Sequence, residues 1–543
     1  MTTQRKPNVI VILNDDMGYS DIGCYGGEVD TPNLDSLALN GLRYSQFYNT
    51  ARCSPSRASL MTGLHPHQTG IGVLTYDMGP EGYVGNLSRN SVTIPEVLKG
   101  AGYRTYMSGK WHIASSLYEP SDAWPTRRGF DEFYGTIIGA GSFYHPNTLT
   151  RGETNIEHEA ENDPEFFYTD AISDQAADYI RDHAATQGDA PFFLYTAYTA
   201  PHWPLHAHPE DIAKYRGRFD AGWDTLRQER LDRLVRAGLL DESWKLSERD
   251  PTQPPFDDAL DKEWLTRCME VYAAQIDRMD QGIGRILDAL EATGQMDNTL
   301  IIFLSDNGGC AEDIPEDVPP EQLVEALDIA RYTTRDGRPV RIGNDRSVMP
   351  GPEDTYQSYE TAWANLSNAP FRLYKHWIHE GGISTPLIMH WPKGIKTAGE
   401  VRHCPGQLTD IMATIVEVTG ATYPETYAGH DIPRLEGESM AGDFTGTRAS
   451  RAPLFWEHEG NAGVRDGKWK LVRKYPGDWE LYDMEADRTE LHDLAPSERD
   501  RVKAMVAMYD DWAVRCGVIP REQILRVMAD RNENAFWEKE DQA

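Results

Sequence analysis

Three short stretches of the chain carry residue types that chemistry can use. Asp15 and Asp16 directly follow an apolar run, Val9–Leu13, and Asp306-Asn307-Gly308-Gly309 follows a second, Leu300–Leu304, after Ser305. Three carboxylates and one amide oxygen form an all-oxygen donor set, which suits Ca²⁺ or Mg²⁺ far better than Zn²⁺. Taken singly, each pair also reads as a strand-end cap or turn. Together, at matching positions behind two strands, they point to a metal. The third stretch is Cys53-Ser54-Pro55-Ser56-Arg57. A lone Cys is usually a small buried apolar group, but this one stands beside Pro and Arg at an expected helix start, where backbone amides favour an anion. It lacks the C-x₅-R spacing of a thiol phosphatase, and a thiolate beside hard oxygen donors would invite a softer metal. An oxygen nucleophile at position 53 removes that mismatch.

Residues so far apart in the chain meet only if the fold collects them. Short β-branched runs alternate with amphipathic stretches, the pattern of a large, mostly parallel sheet flanked by helices. Strands are expected at Asn8–Leu13, Tyr44–Tyr48, Tyr103–Met107, Phe192–Thr196, Thr299–Leu304 and Thr385–His390. A helix capped by Thr31, with Pro32 at its first position, is expected to stop at Gly41. The longest amphipathic stretch runs through Leu265, Cys268, Tyr272, Ile276, Met279, Ile283, Ile286 and Leu290, with Gly294 as its stop. Open α/β sheets bind ligands beyond the carboxyl ends of their strands, which is where both carboxylate stretches fall. The segment from Glu312 to Asn365 is acidic, rich in Pro and Gly, and too long for an ordinary connection; it is expected to form a wall of the site. From Ala452 the pattern changes to strands at Pro453–His458, Gly463–Arg473 and Glu480–Asp483, then a helix from Pro496 to Arg515. This predicts a catalytic domain over 1–440 and a smaller C-terminal α+β domain over 450–543, an antiparallel sheet packed by a helix.

Composition narrows the partners. Lys and Arg number 53 against 86 Asp and Glu, a formal charge of −33. Such a field repels nucleic acid and anionic membrane surfaces, so an anionic substrate must meet a local basic pocket. The longest apolar runs fall far short of the roughly 20 residues of a membrane span. Met1–Pro7 leads into no apolar signal segment or cleavage site, so a cytoplasmic location is expected. The six cysteines form no C-x-x-C pair and no disulfide framework.

The motifs resemble the sulfatase family of the alkaline-phosphatase superfamily, and arylsulfatases in particular. Cys53-Ser54-Pro55-Ser56-Arg57 with Leu60-Met61-Thr62-Gly63 is similar to its first signature, and Gly102–His112 to its second. Asn14-Asp15-Asp16, Gly23-Cys24-Tyr25-Gly26, Thr31-Pro32-Asn33-Leu34-Asp35, Arg128-Gly129-Phe130-Asp131, Pro201-His202, Ser305-Asp306-Asn307-Gly308 and Glu380-Gly381-Gly382 follow in family order, over roughly residues 8 to 420. Arg52 departs from the pattern, which more often has a small or apolar residue there.

The resemblance implies an alkaline-phosphatase-like fold and a sulfate monoester hydrolase, an arylsulfatase releasing a phenol or alcohol plus sulfate. It implies that a formylglycine-generating enzyme oxidises Cys53 to Cα-formylglycine, whose hydrate carries one hydroxyl to attack sulfur and another to collapse the intermediate. One divalent metal, Ca²⁺ in preference to Mg²⁺, would be held by Asp15, Asp16, Asp306, Asn307 and the modified Cys53, with Asp306 as candidate base. Arg57 would hold the hydrate, Lys110 and His112 the sulfate, and His202 and Lys375 the leaving oxygen, with His202 as general acid. Two other readings stand beside this one: a phosphonate monoester hydrolase or phosphodiesterase of the same superfamily, and a silent binding protein in which Cys53 stays a thiol. His65 and His67 read as structural, His206 and His208 as loop residues near substrate, and Trp203, Trp363 and Trp377 as core.

Overall fold

The computed structural model describes residues 5–448 and 450–530. Its main sheet has ten strands, and five carry the argument: β1 (Asn8–Asn14), β2 (Arg104–Gly109), β3 (Phe192–Ala197), β4 (Thr299–Ser305) and β5 (Leu387–His390). Their order across the sheet is β5-β4-β1-β3-β2. β4, β1, β3 and β2 are mutually parallel, whereas β5 runs antiparallel to β4. Every residue of β1 and β4 is buried; helices cover both faces, so these strands read as unbroken apolar runs rather than alternating ones. No helix among the described residues is long and apolar enough to cross a membrane.

The helices of interest are α1 (Pro32–Leu39), α2 (Cys53–Thr62) and α3 (Lys262–Ala292). α3 lies along one face of the sheet and packs on α1 and on the helix Tyr168–Thr186. Thr31 does not cap α1 with its side chain; Asp280 of α3 does, accepting from the amides of Asn33 and Leu34 at 3.1 and 2.8 Å. A tertiary carboxylate thus takes the donors that a local hydroxyl was expected to satisfy.

Two strand expectations need correction. Tyr44–Tyr48 splits into Leu42–Tyr44, which pairs with β5, and Phe47–Tyr48, which pairs with Gly406–Gln407 outside the main sheet. Gly463–Arg473 is a hairpin, Asn461–Asp466 and Trp469–Arg473, turning at Gly467-Lys468 with Gly467 at φ +57°. An Asp-Gly step between apolar runs is a hairpin signal, and here it outweighs the continuity of the run. The hairpin belongs to an antiparallel sheet of four strands, Leu454–His458 to Glu480–Asp483, covered by the helix Arg499–Cys516.

This sheet is joined to the rest by both apolar and ionic contacts. Tyr48, Ile378 and Ile383 pack with Trp456, Val472 and Tyr482. Beside them, Glu380 accepts from Lys470 Nζ at 2.9 Å and Arg488 Nε at 3.0 Å, and Lys470 also meets Glu490 at 2.8 Å. These side chains are fully buried, so removing one partner strands a charge. Lys470→Ala is expected to cost about 3–5 kcal/mol in urea unfolding, whereas Lys468→Ala, at a pair 41% and 16% exposed, should cost under about 1 kcal/mol.

Candidate active site

Strand register puts the chemistry in one place. Asn14 of β1 lies opposite Ser305 of β4, Leu13 opposite Ala197 of β3, and Ala197 opposite Gly109 of β2. Four carboxyl ends are therefore level, and the residues that follow them converge: Asp15 and Asp16, Asp306 and Asn307, His202, and Lys110 with His112. The Asp306 amide donates to Asn14 O and the Lys110 amide to Ala197 O, fixing both departures. Gly109 adopts φ +117°, and a Cβ there would lie 2.0 Å from Ala197 O, so only glycine permits the turn that delivers Lys110.

α2 brings Cys53 and Arg57 to the same point. Arg52, extended at φ −149°, is its N-cap and Cys53 its first residue. Pro55 is tolerated because first-turn amides have no partner within the helix. Arg57 donates from Nε and Nη2 to Asp306 Oδ2 at 3.1 and 2.8 Å, and from Nη1 to Lys110 O at 3.1 Å. Lys110 Nζ donates to Asp15 Oδ2 at 2.5 Å and Lys375 Nζ to Asp16 Oδ2 at 2.9 Å. Asn307 Nδ2 donates to Asp16 Oδ1 at 2.6 Å. His202 Nε2 is 3.3 Å from Asp16 Oδ2 and 3.4 Å from Lys375 Nζ, while its Nδ1 donates to Trp203 O at 2.6 Å. All ten residues expected at the site are thus gathered.

Burial sets the electrostatics. Burial and then Asp15 push the Asp306 carboxyl upward, against Arg57 and Lys110. Burial also acts on Asp15, but Lys110, His202, Arg57 and Lys375 overcome it and hold that carboxyl below its ordinary range. Burial raises the Cys53 thiol despite Lys110 and Lys375, so position 53 offers a thiol and not a thiolate nucleophile. Burial, then Lys110 and Arg57, drive His112 far below the ordinary imidazole value.

Above these groups opens a cavity of about 220 Å³, with Cys53, His112, His202 and Lys375 among its lining residues. Its upper walls include Leu74, Tyr76, Leu117, Ile138, Trp203 and Ile329. A larger cleft of about 860 Å³, near Trp244 and Arg448, holds none of the ten residues. The expected wall is real in its first part: Ile314, Val318, Leu323 and Ile329 form a small core with Ile138 and Trp203. Its last part is instead the helix Glu360–Ser367.

Sequence reasoning missed Glu312. Trp203 is buried in a small core, as expected, and its ring also lies 4.5 Å from that of His202 and forms cavity wall. Glu312 follows the Asp306 stretch by six positions and pairs with Arg52 at 2.7 Å; the unusual Arg52 was the available signal. His206 is not near substrate: its ring nitrogens meet the Phe143 amide and Thr355 O. His67 Nε2 pairs with Glu457 at 2.7 Å, a structural link to the C-terminal sheet.

A sequence model described as Sulfatase matches residues 7–421, about three-quarters of the chain. The chain belongs to the sulfatase family. A second model, described as N-sulphoglucosamine sulphohydrolase, C-terminal, matches residues 371–509. An uncharacterized sulfatase of Schizosaccharomyces pombe is 32% identical, covering 95% of each chain. The arylsulfatase of Klebsiella aerogenes is 33% identical over 81% of this chain and 92% of its own. The crystal structure of Ps i-CgsB superimposes with a TM-score of 0.65 at 25% identity, covering 94% and 93%. Sulfatases hydrolyse sulfate esters and generally use a divalent metal and formylglycine, and this sulfatase has residues that fit both. The buried oxygens Asp15 Oδ1 and Asn307 Oδ1 have no hydrogen-bond partner, the open valence a hard cation would fill. Cys53 stands at a helix N-terminus amid the charges of Lys110, Lys375, Asp15 and Asp306, surroundings suited to a polar oxygen group rather than to an inert thiol.

Gly139 backs the His112 ring, and a Cβ there would lie 2.2 Å from its Cε1. Gly139→Ala is expected to displace the imidazole and lower kcat/KM about 10-fold or more, with an unfolding midpoint within a few degrees of wild type; turnover and thermal unfolding measured together check this.

Proposed function

We propose that this sulfatase is an arylsulfatase acting on small, hydrophobic sulfate monoesters. One observation carries the reading: above the gathered charges lies a small cavity of about 220 Å³ whose upper walls are largely apolar. At about 220 Å³ the cavity falls below the roughly 300–1,000 Å³ of pockets for drug-sized ligands, which suits one ring and its sulfate. Of the two cationic residues that line it, Arg52 is paired with Glu312 and Lys375 lies closest to Asp16, so the walls offer the uronates or further sulfates of a polyanionic sugar no excess of positive charge. Lower down, three carboxylates face Arg57, Lys110 and Lys375 and are balanced by them. A divalent cation would leave that floor net positive, complementary to a sulfate monoester anion.

When present, the metal supplies a Lewis acid at Asp15, Asp16, Asp306 and Asn307, and formylglycine supplies an oxygen nucleophile at position 53. The chain's own residues position and neutralise, which is most of what sulfuryl transfer asks of a protein. Arg57 fixes Asp306, the candidate proton acceptor beside position 53. Lys110 and His112 hold sulfate oxygens. His202, its Nδ1 proton held by Trp203 O, presents Nε2 with Lys375 Nζ to the leaving oxygen and, in the imidazolium form that burial opposes and Asp16 favours, protonates it.

Turnover of 4-nitrophenyl sulfate well above that of a matched aryl phosphodiester and of sulfated monosaccharides is expected; preference for the phosphodiester would replace this reading with its superfamily alternative. Peptide mass spectrometry should find an aldehyde at Cys53 when the protein is made with a formylglycine-generating enzyme. Cys53→Ala should then lose at least about 10³-fold in kcat/KM and Cys404→Ala almost nothing. Ca²⁺ added after chelator treatment should raise the unfolding midpoint more than Mg²⁺ does, and this difference should vanish in Asn307→Ala.

A further inference from the structure

One carboxylate outside the ten expected residues touches the neighbourhood of three of them. Glu312 Oε1 accepts from Arg52 Nη1 at 2.7 Å, the residue before Cys53. Glu312 Oε2 accepts from Trp203 Nε1 at 3.0 Å, the residue after His202, and lies 3.6 Å from Lys375 Nζ. Its side chain is 7% exposed and that of Arg52 9%, so both charges are largely withdrawn from water and their pairing is weakly screened. Burial opposes ionisation of Glu312, but Lys375 and Arg52 outweigh it and hold the carboxyl well below its ordinary range.

Lys375 is shared. Its ammonium sits between Asp16 Oδ2 at 2.9 Å and Glu312 Oε2 at 3.6 Å. Glu312 and Asp16 thus draw the ammonium from two sides, and loss of Glu312 lets Asp16 pull it toward itself. Trp203 is also double-duty: its carbonyl orients His202 through Nδ1 and its indole is pinned by Glu312.

We propose that Glu312 is a positioning residue for the leaving-group side of the site: it keeps Lys375 raised toward the cavity and locks the Trp203 turn that aims His202. The inference rests on the arylsulfatase reading above and assigns Glu312 no contact with substrate. A residue that merely closed the wall would, on removal, lower turnover of all aryl sulfates alike. A positioning residue for leaving-oxygen protonation hurts poor leaving groups most, since good phenolates depart without help.

The test is a series of aryl sulfates whose phenols span weak to strong acidity, with kcat and KM measured for wild type, Glu312→Gln and Trp203→Phe. For Glu312→Gln, kcat should fall about 10-fold or more on the poorest leaving group and less than about 3-fold on the best, steepening the dependence on phenol pKa. Trp203→Phe keeps a ring but loses the indole donor, so the same steepening should appear at smaller amplitude. Equal losses across the series, or none, overturn the proposal; if Glu312→Gln does not fold, the Trp203→Phe series decides by the same criterion. A wild type silent toward every aryl sulfate overturns the arylsulfatase reading and this inference with it, whereas an active wild type with parallel variant losses overturns this inference alone.

Discussion

Asp15, Asp16 and Asp306 are carboxylates with essentially no solvent contact, and the fold is arranged around keeping them there. An isolated ionised carboxylate in such surroundings is prohibitively unfavourable. Arg57, Lys110 and Lys375 answer them one to one, and each cation arrives on a different segment: a helix, a strand end and a long loop. The requirement for paired charge is therefore a requirement for tertiary structure, since no cation is a chain neighbour of the carboxylate it answers. The parallel register of four strands meets it by stopping them at one level.

That logic explains what was legible in the sequence. Residues at strand tips are announced by the apolar runs before them, so Asp15, Asp16, Asp306 and Asn307 could be read as a set. His202 and Lys375 have no such local signature; a lysine in a loop looks like surface until a motif resemblance fixes it. Tertiary substitutions were invisible. Asp280 caps a helix far away in the chain, and Glu312 answers a charge carried on Arg52, because both depend on which surfaces the fold presses together. The Gly467 hairpin was legible and was overridden by the length of the run around it.

The C-terminal sheet is attached through the buried Glu380–Lys470–Arg488–Glu490 cluster rather than through a large apolar face alone. Desolvated ion pairs are exacting about geometry and give little net stability against an apolar substitute. Their effect here is to fix how the sheet sits on Tyr48 and Ile378, close in sequence to Cys53 and Lys375. A misaligned sheet would therefore disturb two segments that supply the floor of the cavity.

The wall beyond Glu312 has its own apolar core, which it shares with Ile138 and Trp203. Loops of this kind tolerate exchange far better than strand interiors. During divergence, then, the shape of the cavity mouth can be rewritten by grafting a different wall while the strand tips and their paired charges stay as they are. Such a graft inherits one obligation: it must bring an acidic group to the seam where Glu312 now meets Arg52 and Lys375.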